Sequence, residues 1–106
     1  MSEQYAKEIE AAEVRRKLES GEKLNIIDVR EPDEWASGHI PGAKHIPLGT
    51  IVHRLNELDR DKEYIVVCRA GARSAMACEY LEAMGYKVTN MADGMLQWDG
   101  ELEYGD

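Results

Sequence analysis

The stretch YIVVCRAGARSAMACEYLEAMG, residues 64–85, contains the unit that decides the fold. Residues 64–68 form a short apolar run rich in β-branched side chains, which is typical of a strand buried on both faces. A helical segment follows, with Ser74 near its start, about six residues after Cys68, and Gly85 as its stop. A buried strand that leads through a short loop into a helix predicts an α/β protein.

The same alternation runs through the rest of the chain. The sequence predicts further strands at 24–29, 43–46 and 86–91, and helical segments at 11–20, 32–38, 50–58 (with Thr50 as the N-cap) and 94–98. Buried strands that alternate with helices predict a largely parallel sheet covered by helices on both faces. Because no linker or repeat interrupts the pattern, we expect one domain over residues 1–106, ending in an acidic, solvated tail at about 101–106.

Composition argues against several classes of function. A chain of 106 residues with 43% hydrophobic and 32% charged residues is typical of a single globular domain. The formal net charge of −8 argues against nucleic acid or an anionic membrane as a partner. No apolar run is long enough to cross a bilayer, and the first residues lack an apolar signal core, so we expect a cytoplasmic protein with free thiols. The spacing of His39, His45 and His53 does not suit a metal, and we expect no cofactor.

The loop CRAGARS, which begins at Cys68, combines several features of an anion-binding site. It follows the carboxyl end of a buried strand, which is where α/β sheets bind ligands. The start of the next helix supplies unpaired amides, and Arg69 and Arg73 add positive charge, so the loop would favour a thiolate. Gly71 allows the backbone to curl so that successive amides point inward. We therefore predict a nucleophilic cysteine rather than a core thiol that happens to end a strand.

Three segments of the chain resemble single-domain rhodaneses, which are sulfurtransferases. The CRAGARS loop resembles the active-site loop of that family, and IIDVREPDEWASGHIPGAKHIPL, residues 26–48, resembles its first signature. The stretch MADGMLQWDGEL, residues 91–102, resembles the closing pattern, with Gly94 and Trp98 in place but Asp93 where a second glycine is usual. The resemblance implies a three-layer α/β fold with a five-stranded, mainly parallel sheet and helices on both faces.

The resemblance also implies an enzyme of the thiosulfate:cyanide sulfurtransferase type. The Cys68 thiolate would take the sulfane sulfur of a small anionic donor such as thiosulfate and pass it, as a persulfide, to cyanide, a thiol or a protein. A thioredoxin-like protein or a desulfurase is a candidate partner, and nothing in the sequence demands more than a monomer. The expected substrate-binding residues are Arg69, Ala70, Gly71, Ala72 and Arg73, and the expected supporting residues are Asp28, Arg30 and Ser74.

Two other functions remain open from the sequence. A persulfide carrier, or a binding module without turnover, would use the same loop and differ only in what accepts the sulfur. A phosphatase of the same fold is the less favoured alternative, because such enzymes place five residues between the cysteine and the arginine. Here four residues, 69–72, separate Cys68 from Arg73, and the shorter loop suits a single sulfur atom.

Two further residues have simpler predicted roles. Cys78 lies in the helix after the loop and is predicted to pack on the sheet as a small buried residue, with a resolving thiol as the alternative. Glu34 is predicted to act at a helix terminus or in an ion pair.

Overall fold

The chain folds into one parallel sheet with helices on both faces. The structure, a computed structural model, describes residues 7–105, so the first six residues and Asp106 of the predicted domain lie outside the described part. The strands are β1 (Glu8–Ile9), β2 (Asn25–Asp28), β3 (Lys44–His45), β4 (Glu63–Val67) and β5 (Lys87–Met91). The α-helices are α1 (Ala11–Glu19), α2 (Pro32–Ala36) and α3 (Ala72–Ala83), and 3₁₀ helices span Leu48–His53, Leu55–Glu57 and Met95–Gln97.

The five strands lie in the order β1-β5-β4-β2-β3, and every described pairing is parallel. The most apolar strand, β4, occupies the centre, with Ile65 opposite Ile26 of β2 and Val66 opposite Asn90 of β5. The carboxyl ends of β2, β4 and β5 therefore meet at one edge of the sheet. The predicted fold class, with its five-stranded parallel sheet, is confirmed.

Two hydrophobic clusters cover the two faces of the sheet. Successive residues of a strand point to opposite faces, and β4 accordingly sends Val66 into one cluster and Val67 into the other. The larger cluster is completed by the inner side of α3, and the smaller by Ala11 and Val14 of α1. No helix within residues 7–105 is both long and apolar enough to cross a membrane.

The predicted helix over residues 50–58 is wrong in detail. Two 3₁₀ helices, Leu48–His53 and Leu55–Glu57, take its place. Thr50 is not an N-cap, because it lies inside the first of these helices and its hydroxyl donates to the Pro47 carbonyl at 2.9 Å. Ile51 is buried, and Leu48, Leu55 and Leu58 pack partly buried against the larger cluster, so the apolar side chains of this segment reach the core without a continuous α-helix.

Three smaller differences concern the first strand, the tail and the start of α3. The short strand β1 was not predicted, since two residues in a polar context carry no periodic signal. The segment predicted as a solvated tail has exposed side chains, but its backbone is tied to the body of the protein. Glu103 and His39 exchange backbone hydrogen bonds of 2.8 and 2.9 Å, and the Gly105 amide donates to the Ala36 carbonyl. Helix α3 begins at Ala72, four residues after Cys68 and earlier than predicted.

Candidate active site

Cys68 follows β4 directly and is 1% exposed at the carboxyl edge of the sheet. Its Sγ accepts hydrogen bonds from the Gly71 amide at 3.0 Å and from the Ser74 hydroxyl at 3.2 Å. Both donors belong to residues 68–74, which we call the active loop. Polar donors around a buried sulfur stabilise negative charge on it, which a purely apolar environment does not.

Gly71 sets the curvature of the active loop. It has φ +97°, in the left-handed region, and precedes the first residue of α3. A Cβ at this position would lie 2.0 Å from the Ala92 carbonyl oxygen, so a larger residue would displace the loop. Glycine therefore permits the close approach that brings the Gly71 amide to Sγ.

Most other amides of the active loop are unused. Within the described chain, no acceptor lies against the N–H groups of Arg69, Ala70, Ala72, Arg73 and Ser74. The last three belong to the first turn of α3, where amides have no intrahelical acceptor and the helix dipole is positive. The loop thus offers an array of donors around Cys68 that suits a small anion.

The turn that follows β5 supports the start of the active loop through two backbone hydrogen bonds. The Met95 amide donates to the Cys68 carbonyl at 2.9 Å, and the Leu96 amide donates to the Arg69 carbonyl at 3.1 Å. Gly94, with φ +73°, makes this contact possible, because a Cβ there would lie 2.2 Å from the Arg69 carbonyl oxygen. The carbonyls of Cys68 and Arg69 are therefore held by this turn.

Arg73 is engaged by an acidic partner. Its guanidinium donates to both carboxylate oxygens of Glu34, at 2.7 and 2.9 Å. Glu34 also accepts the Glu31 amide at 2.9 Å as part of a capping box at the start of α2. The bonds from Arg73 lower the pKa of Glu34 to about 2. Both predicted roles of Glu34, helix terminus and ion pair, are confirmed.

Arg69, the first residue after Cys68, differs from Arg73 in having no acidic partner among the described residues. Its side chain is exposed and has no ion pair or hydrogen bond within residues 7–105. The two arginines of the loop are thus not equivalent, since one is neutralised by Glu34 and the other is available to an anion.

The predicted supporting pair lies one strand away from Cys68. Buried Asp28 and Arg30 form an ion pair of 2.8 Å, and Arg30 also donates to the Gly38 carbonyl at 2.8 Å. None of the described hydrogen bonds of these two side chains reaches the active loop. They brace the segment that carries α2 and Glu34, so any support that they give to the loop is indirect.

Cys78 lies in the core rather than in the site. It is fully buried on the inner side of α3, and burial raises the pKa of its thiol to about 12. The predicted packing role is confirmed.

The contact of Asn90 with the loop and the contact of Asp93 with α1 were not predicted from the sequence. Asn90, on β5, is 1% exposed and donates from Nδ2 to the Gly71 carbonyl at 3.2 Å. Asp93, the departure from the family pattern, accepts the Ala11 amide at 2.8 Å and so caps α1. A polar residue on the inner face of a predicted buried strand was an available signal for Asn90. Nothing in the sequence indicated the contact of Asp93.

Fold and loop together define a rhodanese-like protein, and comparison with known proteins agrees. The sequence profile described as Rhodanese-like domain matches residues 10–101. The chain is 47% identical over 97 residues to a Bacillus subtilis (strain 168) protein provisionally named a sulfurtransferase, YtwF, covering 92% of this chain and 94% of that one. It is also 37% identical over 92 residues to a sulfurtransferase of Allochromatium vinosum, covering 86% of each chain.

A solved structure supports the same assignment. The crystal structure of a rhodanese-like domain protein from Staphylococcus aureus superposes with a TM-score of 0.88 at 42% identity, covering 94% of this chain and 99% of that one. The chain belongs to the rhodanese-like sulfurtransferase family.

Proposed function

We propose that this protein transfers sulfur from thiosulfate, or a similar anionic donor, through a persulfide on Cys68. In the first step, the Cys68 thiolate attacks the outer sulfur of thiosulfate. A bond forms between Sγ and that sulfur, the S–S bond of thiosulfate breaks, and sulfite leaves with the bonding electron pair. No electrons are exchanged with an external oxidant or reductant.

In the second step, a nucleophilic acceptor attacks the outer sulfur of the persulfide. With cyanide, a carbon–sulfur bond forms, the persulfide S–S bond breaks, and thiocyanate leaves while the thiolate is restored. With a thiol acceptor, its thiolate takes the sulfur and becomes a persulfide. Both cysteines are free thiols, and a reducing compartment such as the cytoplasm would keep them so.

The observation that carries this proposal is the hydrogen bonding of Sγ. The Gly71 amide and the Ser74 hydroxyl already donate to the sulfur, at 3.0 and 3.2 Å. The free amides of the active loop are further donors for the negative charge of a persulfide. Attack by a thiolate needs no separate general base, so we assign the nucleophilic step to Cys68 and the donors of its loop.

Charge and access support a small anionic donor. Because Glu34 occupies Arg73, we assign the exposed guanidinium of Arg69 to the sulfonate-like end of thiosulfate. Cys68 is 1% exposed, so the attacked atom must be slender and terminal. The outer sulfur of thiosulfate meets this requirement, and cyanide is a nucleophile small enough to reach the outer sulfur of the persulfide.

The direct test is turnover with thiosulfate and cyanide. We expect the wild-type protein to form thiocyanate over many turnovers and Cys68→Ser to form none. A single turnover without release would favour a persulfide carrier over the proposed enzyme. Hydrolysis of an aryl phosphate that is lost in Cys68→Ser, without thiocyanate formation, would overturn the proposal in favour of the phosphatase.

A further inference from the structure

Asn90 lies behind the active loop, on the neighbouring strand β5. We propose that it is a positioning residue for sulfur transfer, whose side-chain amide holds the Gly71 carbonyl so that the adjoining amides stay directed at the sulfur site. The proposal rests on the proposed function, because the residue acts through the loop and does not itself touch Cys68 in any described contact.

The contacts of Gly71 show how the position is held. Asn90 Nδ2 donates to the Gly71 carbonyl at 3.2 Å, and the Ala75 amide donates to the same oxygen at 3.1 Å as the first bond of α3. On the other side of the residue, the Gly71 amide donates to Cys68 Sγ at 3.0 Å. Both peptide groups of Gly71 are therefore fixed, one by the sulfur and one by Asn90 together with the helix.

The hydrogen bonding of the Asn90 side-chain amide also indicates a positioning role. The Gly71 carbonyl only accepts hydrogen bonds, so the atom that faces it must be the NH₂ group. This orientation leaves Oδ1 buried without a hydrogen-bond partner among the described residues. A buried unpaired acceptor is unfavourable, and an apolar residue would avoid it. The property that asparagine provides and an apolar residue lacks is the donor to Gly71.

Backbone geometry explains why the bond matters. Glycine has the greatest backbone freedom of all residues, so at φ +97° its peptide groups need an external restraint. In a planar trans peptide the carbonyl and the following N–H point in opposite directions. Holding the Gly71 carbonyl toward β5 therefore directs the free Ala72 N–H away from β5, out of the amino-terminal end of α3. The bond from Asn90 thus orders the Ala72 donor of the active loop, while the sulfur holds the Gly71 amide.

The test uses two substitutions that remove the donor but differ in packing. Asn90→Leu fills the site and removes the unpaired acceptor, whereas Asn90→Ala leaves a cavity. We expect both to lower kcat for thiocyanate formation by about tenfold, less than the loss when a direct oxyanion donor is removed, with the KM for thiosulfate changed by less than about twofold. Val88→Ala, a cavity on the same strand and 2% exposed, is the matched control and should lower the melting temperature while keeping kcat.

A second readout follows the loop directly and does not depend on turnover. In ¹⁵N–¹H NMR spectra, the Gly71 and Ala72 signals should move, and the Gly71 amide should lose exchange protection, in both Asn90 variants but not in Val88→Ala. If the kcat of the Asn90 variants follows their melting temperatures, or if both signals stay in place, Asn90 is only a packing residue and the inference is wrong. If the wild-type protein forms no persulfide while the signals move as expected, the proposed function fails but the positioning of the loop stands.

Discussion

Cys68 and Cys78 are two thiols of the same hydrophobic cluster, and their surroundings assign them different chemistry. Two donors reach the sulfur of Cys68, whereas burial raises the pKa of Cys78 to about 12. A thiol with that pKa is almost entirely protonated at neutral pH and is a poor nucleophile. Both thiols are buried, so burial does not distinguish them. The difference between them is that hydrogen-bond donors surround the sulfur of Cys68.

We predict that Cys78 takes no part in sulfur transfer. Cys78→Ala should keep its thiocyanate activity within about twofold of the wild type, because the side chain only packs in the core. Incubation with thiosulfate should add sulfur to the native protein at Cys68 alone, as read by peptide mass spectrometry. Native Cys68→Ser should stay unmodified, and modification of Cys78 at the rate of Cys68 would contradict this prediction.

We predict that Arg69 contributes to donor binding and Lys87 does not. Arg69→Ala should raise the KM for thiosulfate by about five- to tenfold, which is the expected effect of losing one exposed charge-assisted hydrogen bond. Lys87→Ala is the control, since Lys87 is exposed at the amino-terminal end of β5, away from the loop. Steady-state kinetics with thiosulfate as the varied substrate measure both, and an equal KM in the two variants would exclude the assigned role.

The start of α1 depends on a residue from the far end of the chain. Glu10, the N-cap of α1, makes no side-chain capping bond, and Asp93 instead accepts the Ala11 amide at 2.8 Å. The turn around Asp93 also contacts the active loop through Gly94. The departure from the family pattern therefore links α1 to the turn that supports the loop.

We predict that restoring glycine at this position weakens the fold. Asp93→Gly should lower the free energy of unfolding by about 1 kcal/mol, as expected for a lost helix cap, while Asp93→Asn keeps a carbonyl acceptor and should lose less. Urea unfolding followed by circular dichroism measures both. A glycine variant as stable as the wild type would show that the contact contributes nothing.

The ion pair between α2 and α3 should make stability depend on pH. Arg73 lowers the pKa of Glu34 from 4.5 to about 2, so the pair stabilises the folded state above pH 4.5. This contribution is lost as the pH falls from 4.5 toward 2, where Glu34 is protonated in the folded state as well. Because both side chains are partly exposed, we expect a loss of only about 1–2 kcal/mol.

Glu34→Gln tests this dependence. The variant should be less stable than the wild type at pH 6, and the difference should shrink as the pH approaches 2. Glu63→Gln is the matched control, because Glu63 is exposed and has no ion pair among the described residues. Urea unfolding at a series of pH values measures both, and a difference between wild type and Glu34→Gln that is constant with pH would contradict the assigned ion pair.

At the scale of the whole molecule, the sequence predicted those features that depend on local pattern. The β-branched run before Cys68 and the helical segment after it were sufficient to predict a buried strand that leads through a short loop into a helix, and the alternation of strands and helices predicted the parallel sheet. The contacts that fix the loop join distant parts of the chain. Asn90 is 19 residues from Gly71, and Glu34 is 39 residues from Arg73, so no periodicity in the sequence reports them.

The difference between local sequence pattern and tertiary contact also explains two wrong predictions, the solvated tail and the α-helix over residues 50–58. The tail was predicted to be solvated because its side chains are acidic, but backbone hydrogen bonds to His39 and Ala36 do not depend on side-chain polarity. Thr50 has the residue type of an N-cap, yet the segment packs its apolar side chains on the core as two 3₁₀ helices. In both cases tertiary contacts outweighed a local preference.

The central claim is that Cys68 carries sulfur. Intact-protein mass spectrometry after incubation with thiosulfate measures this most directly, with Cys68→Ser treated in parallel. We predict a mass gain of one sulfur atom on the wild-type protein, located at Cys68 by peptide analysis and removed by cyanide, and no gain on the variant. No gain on the wild type, or an equal gain on Cys68→Ser, would contradict the account.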